Sequence, residues 1–195
     1  LDPAERAVLE RGSVEGRVFH RGAVSALADG DGQIDTQLLA LVRKELVRPD
    51  RPQLPLEDAY RFRHLLIRDA AYDSLPKGLR ADLHRRFAAW LEVHGGGLVE
   101  LEEILGYHLE QAARCLADLG RPDPELAAEA AARLSLAGRR ARHRLDAVAA
   151  RSFFQRAVAL GDGHDVHIVV DLARALETPL EGASLLDEAA DRAES

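Results

Sequence analysis

Methionine is absent from these 195 residues, and cysteine occurs once, at Cys115. A single cysteine excludes an internal disulfide and fits a reducing compartment, so a cytoplasmic location is expected. Translation begins at methionine, so a chain opening Leu1-Asp2-Pro3 reads as a piece of a longer polypeptide. No apolar run approaches the roughly 18 residues of a membrane span, and no signal peptide opens the chain, so no membrane partner is expected. Positive charge is also in deficit. Residues 1–75 hold 11 Lys/Arg against 13 Asp/Glu (−2) and the remainder 15 against 20 (−5), for a total of −7. A nucleic-acid footprint is normally basic, so that partner class is disfavoured in bulk.

What is present is mostly helical punctuation. Asp2-Pro3-Ala4-Glu5 combines a cap, a proline at the first helical position and the glutamate of a capping box. The helix it starts should end near Gly12. Val14, Val18 and Phe19 suggest a short extended lead into a second helix, Arg21 to Ala28, broken by Gly30-Asp31-Gly32. Asp35 is placed to cap a third helix with a broad apolar face from Leu38 to Val47. Pro49, Pro52 and Pro55 then forbid further helix. Leu46–Arg48 and Tyr60–Arg63 can pair as a hairpin across that proline-rich tip. Three short helices followed by a two-stranded wing is a winged-helix arrangement, placed at residues 1–75. The strand at Tyr60–Arg63 runs directly into helical spacing at Leu65, Leu66, Asp69, Ala70 and Tyr72, and so delivers His64 to a helix start.

From Pro76 onward the periodicity is helical. Residues 78–94 align Leu79, Leu83, Phe87, Trp90 and Leu91. Residues 99–119 align Leu101, Ile104, Leu105, His108, Leu109, Ala112 and Leu116. Residues 76–120 thus read as a linking helix pair. Pro124 opens an alanine-rich helix to about Leu145, Asp146 caps another to about Leu160, and two more are expected at 166–177 and 181–193. Antiparallel helix pairs with short turns are the pattern of a solenoid. Gly138, Ala141, Ala150, Phe154 and Ala157 match the small and aromatic offsets of a tetratricopeptide repeat. Leu134 replaces the pattern's first-helix aromatic, and Asp162 its proline. Leu172, Ala175, Ala183, Leu186 and Ala190 form a partial second match. The fold class is therefore all-α with one small β-hairpin: a winged-helix-like domain, then tetratricopeptide-like repeats over 121–195.

Few residues suggest chemistry. His64 has two readings. It is either a partly buried histidine hydrogen-bonded at the strand–helix junction, or a phosphate or nucleotide contact, since an imidazole between Arg63 and a helix N-terminus suits an anion. His84 and His108 lie on largely apolar faces and read as packed core histidines. His164 with His167, or His84 with His108 and Glu110, match no metal-ligand spacing, so no metal site is expected. Cys115 has only Arg114 beside it as an activating group, and packing is its default. The run Arg139-Arg140-Ala141-Arg142-His143-Arg144 wraps all faces of a helix and reads as a solvated surface pairing with nearby acids, with an acidic partner helix as the alternative. No nucleophile–base–acid set is legible, and no catalytic site is expected.

The block Phe62-Arg63-His64-Leu65-Leu66-Ile67-Arg68-Asp69-Ala70-Ala71-Tyr72, with Arg80, Leu83-His84 and Phe87-Ala88 after it, resembles the segment downstream of the ATPase domain in bacterial STAND-type signalling proteins. These include regulators that join an adenylate/guanylate cyclase or a LuxR-type DNA-binding domain to an AAA-like ATPase and tetratricopeptide repeats. Tyr107-His108-Leu109-Glu110-Gln111-Ala112 and Ala137-Gly138-Arg139-Arg140-Ala141 fit the same pattern. The resemblance implies that the winged helix packs on an upstream ATPase domain of the same polypeptide, which binds the ATP or ADP. It also implies that His64, in the place of a Met-His-Asp-like motif, helps to hold ADP, with Arg63 beside it. Only the histidine of that motif is retained. The phosphate-binding loop and acidic magnesium ligand of such ATPases are not in this sequence, so the segment itself should carry no cofactor and hydrolyse nothing. The repeats would receive a protein or small ligand. The rival reading is a DNA-binding transcriptional regulator module using the helix at 36–48. That helix offers Arg43, Lys44 and Arg48, but its Leu38, Leu39, Leu41 and Val42 leave few polar positions for base edges.

Overall fold

Asp2 caps the first helix, α1 (Pro3–Glu15), accepting from the Ala4 N–H at 2.8 Å while Glu5 reaches back to the Asp2 N–H, the reciprocal box that the sequence calls for. The computed structural model to which this helix belongs describes residues 1–28, 33–161 and 166–175. It divides into two units, Leu1–Val99 with Asp118–Gly120, and Glu100–Ala117 with Arg121–Ser195. Helix α1 does not stop at Gly12. That glycine lies buried inside it, where an added Cβ would stand 2.9 Å from the ring of Phe19. Close packing, not chain reversal, accounts for Gly12.

The first unit continues through β1 (Val18–His20), α2 (Arg21–Ala26), α3 (Ile34–Arg43), β2 (Val47–Asp50), β3 (Ala59–Phe62), α4 (Leu65–Ser74) and α5 (Lys77–His94). The expected β2–β3 hairpin forms, with Val47 opposite Phe62 and Asp50 opposite Ala59. The expected two-stranded wing is, however, a three-stranded antiparallel sheet of order β1-β3-β2. Val18–His20, expected only as an extended lead, pairs with Arg61, Tyr60 and Ala59 and covers what would be an open edge of β3. Phe19 on β1 meets Phe62 on β3 at 5.1 Å between ring centroids. These rings close a core with Val8, Leu9, Val24, Ile34, Leu38, Leu41 and Val47, and burying each ring contributes about 1.5–3 kcal/mol.

A second correction concerns Asp35, which does not cap α3. Gln33 is the N-cap and makes no side-chain bond, while Asp35 lies in the first turn and pairs with Arg21, whose Nη2 donates to it at 2.8 Å. The arginine holds the Asp35 carboxyl below the usual carboxylate range.

The second unit holds α6 (Leu101–Asp118, all but its last residue), α7 (Pro124–His143), α8 (Ala147–Leu160) and α9 (Val166–Ala175). Asp123 and Asp146 cap α7 and α8, each accepting a backbone N–H at 3.0 Å. Helices α7 and α8 cross where the small residues predict. A Cβ on Gly138 would stand 2.7 Å from Phe154, and Ala141, Ala150 and Ala157 are buried around it. Phe154 fills the crossing of its own hairpin and belongs to the same buried cluster as Ile168 and Leu172 of α9. Of the partial second match, Leu172 is buried on α9, and Ala183, Leu186 and Ala190 lie outside the described residues, as do the helix expected at 181–193, Asp162 and the Gly30-Asp31-Gly32 break. Among the described residues the protein is mainly helical with one small antiparallel sheet, and no helix is long and apolar enough to cross a membrane.

Candidate functional site

The strand–histidine–helix junction is built as the sequence orders it. Strand β3 ends at Phe62, the Arg63 N–H still donates to the Leu46 carbonyl at 3.0 Å, and His64 occupies the N-cap of α4 in extended conformation. The His64 carbonyl accepts from the Ile67 N–H at 3.1 Å, but its side chain makes no capping bond and the residue is exposed. The partly buried, hydrogen-bonded histidine is therefore not what forms. Arg63 is also exposed and pairs with Glu45 at 2.9 Å. Leu65 and Leu66, read in the sequence as residues at helical spacing, are 55% and 79% exposed. No residue of α4 is fully buried.

The rest of α4 is firmly held. Arg68 Nε donates to the Ser13 carbonyl of α1 at 3.0 Å. The Arg68 and Arg80 guanidiniums lie 4.8 and 4.6 Å from the centre of the Tyr72 ring. Arg80 also donates to the carbonyls of Leu75 and Asp73 at 2.8 Å, closing the C-terminal end of α4. Tyr72 Oη and His84 Nε2 hydrogen-bond at 2.8 Å. His84 is fully buried, as its apolar face predicts, and burial beside two arginines pushes its pKa down to about 3. Several residues that stand out in the 60–91 block are thus spent on fastening α4 to α5. His64, Leu65 and Leu66 are not spent in that way.

His108 is buried within α6, as expected, and Cys115 is half-buried. Among the described residues no group of three or more His, Cys, Asp or Glu could hold a metal, and His164 lies outside them. The basic run at 139–144 is spent largely on acids. Arg139 and Arg142 bind Asp171 at 2.7 and 3.2 Å, and Arg140 approaches Glu102 at 3.6 Å.

Three buried polar sites were not legible beforehand. Glu110 is buried in the second unit between Arg114 at 2.7 Å and Arg156 at 2.5 Å. The four-residue spacing to Arg114 is a visible signal, but the partner 46 residues away is not. In the first unit, buried His20 donates from Nδ1 to Glu15 at 2.5 Å and accepts the Gln53 N–H at 3.3 Å. Asp171 interrupts the apolar run Ile168-Val169-Val170, a signal that could have marked it. The second unit also carries an apolar depression of about 510 Å³, lined by residues such as Ala113, Ala117, Ala127, Ala128 and Leu160, with Arg114 among them.

No family model, no curated protein and no solved structure matches this chain.

Proposed function

We propose that this chain is a non-catalytic regulatory and protein-interaction segment of a cytoplasmic, multidomain STAND-type signalling ATPase. Its first unit, read as a winged helix, docks on an ATPase domain of the same polypeptide. Its second unit, read as tetratricopeptide-like repeats, receives a protein or small ligand. Ligand binding then biases the nucleotide state of the ATPase domain, a coupling between two sites.

The observation that supports this reading is the first turn of α4. Leu65 and Leu66 stand in solvent beside an uncommitted imidazole, on a helix that Arg68, Tyr72 and Arg80 hold in place. Adjacent exposed leucines on an anchored element are the kind of surface another domain covers. His64 and Arg63 then face the nucleotide phosphates, the histidine as a hydrogen-bond donor and the arginine as fixed charge.

Mixing this chain with the ATPase domain of its parent polypeptide in a titration calorimeter tests the docking. Saturable association is expected, weakened at least about tenfold by Leu66→Asp, which places a charge in the covered patch. Absence of association, or an unchanged affinity for Leu66→Asp, contradicts the reading. A shift of duplex DNA with a steep salt dependence would instead favour the DNA-binding alternative.

A further inference from the structure

On α9, residues 167, 170, 171 and 174 share one face at helical spacing. The opposite face carries Ile168, Val169 and Leu172, all buried. Asp171 is buried as well, so this carboxylate is positioned by the fold. Its two oxygens each accept one arginine of α7: Oδ2 takes Arg139 Nε at 2.7 Å and Oδ1 takes Arg142 at 3.2 Å. The Arg139 and Arg142 side chains are 45% and 39% exposed. Arg174, also exposed, pairs with no carboxylate among the described residues. With His167 and Val170 these side chains line a depression of about 400 Å³.

The charge balance of this depression is the informative quantity. Among the described residues lining it, three arginines against one aspartate leave a formal +2, counting His167 as neutral, in a chain whose total is −7. Asp171 takes one N–H from each of its two arginines, and a guanidinium has five, so both lining arginines keep donors that Asp171 does not use. The cluster is therefore a locally positive, solvent-reachable depression, the electrostatic setting that attracts an anion. A single carboxylate would leave the site positive. A phosphate group, with about −1.5 to −2 charge at neutral pH and oxygens that match guanidinium forks, balances it.

We propose that the α7–α9 face of the second unit is a binding site for a phosphate group, either the free ion or a phosphate monoester, held by Arg139, Arg142 and Arg174. The site deepens the ligand-receiving role proposed for the repeats and rests on that reading only for the consequence of binding. Asp171 is its positioning residue: it orients two of the three arginines.

Calorimetric titration of the whole chain at neutral pH tests the site, with inorganic phosphate as one probe and phenyl phosphate as the other, against chloride at equal ionic strength. Saturable binding of one phosphate per chain is expected, with no saturable heat from chloride. Arg174→Gln should weaken it at least about tenfold while leaving the melting temperature unchanged, because Arg174 supports no buried group. Phenyl phosphate binding as tightly as the free ion assigns the site to a phosphorylated ligand, and binding of inorganic phosphate alone assigns it to the ion. No saturable heat with either probe, or full affinity in Arg174→Gln, overturns the proposal. This titration involves no nucleotide and no ATPase domain, so its failure leaves the docking reading standing, and failure of docking leaves the site standing.

Discussion

His84 shows how one buried side chain sets a pH dependence. Above pH 6.5 the imidazole is neutral in both folded and unfolded chains. Below that value the unfolded chain takes up a proton that the folded one refuses until about pH 3. Stability should therefore fall with acidification across this window, by about 1.4 kcal/mol per pH unit from this residue alone. Urea unfolding between pH 6.5 and 5 should show a dependence steeper in the native sequence than in His84→Gln by about 1 kcal/mol per pH unit. Equal slopes in the two proteins would contradict the assignment. The apolar spacing around His84 was enough to place it in the core. At Leu65 and Leu66 the helical spacing is right but silent on exposure, because periodicity reports which residues share a face and not whether anything covers that face. Asp35 misled for a related reason: a carboxylate near a helix start can cap it or meet an arginine, and Arg21 lies 14 residues away.

Among the elements, the α7–α8 hairpin was the most legible. Gly138, Ala141, Ala150 and Ala157 leave room for a close crossing, and Phe154 is the ring that occupies it. Gly138→Val places methyl groups where Phe154 lies and should cost about 1–3 kcal/mol by overpacking. A drop of some 2–4 °C in melting temperature per kcal/mol should follow. Phe154→Leu in the same chain should restore part of the loss, so that the double-mutant cycle is non-additive. Strict additivity would show that the two residues do not meet. The sheet was only half legible. Prolines at 49, 52 and 55 announce the hairpin tip, whereas β1 is three residues long and its partner lies about 40 residues away, with no local signal of the pairing.

For the molecule as a whole, sequence resemblance and surface chemistry meet at the N-terminal turn of α4. The STAND reading assigns the two units opposite ends of one coupling, with nucleotide state sensed through His64 and ligand received on the helical repeats. Binding partners of this kind leave no trace in local periodicity, since charges such as Arg139, Arg142 and Asp171 converge only after folding. The most direct measurement is the rate of ADP release from the multidomain ATPase proposed above, followed by fluorescence of a labelled nucleotide, with the native sequence and with His64→Ala. If His64 holds the resting state, the substitution should speed release by about tenfold, the loss of one charge-assisted hydrogen bond. An unchanged release rate would contradict the central claim.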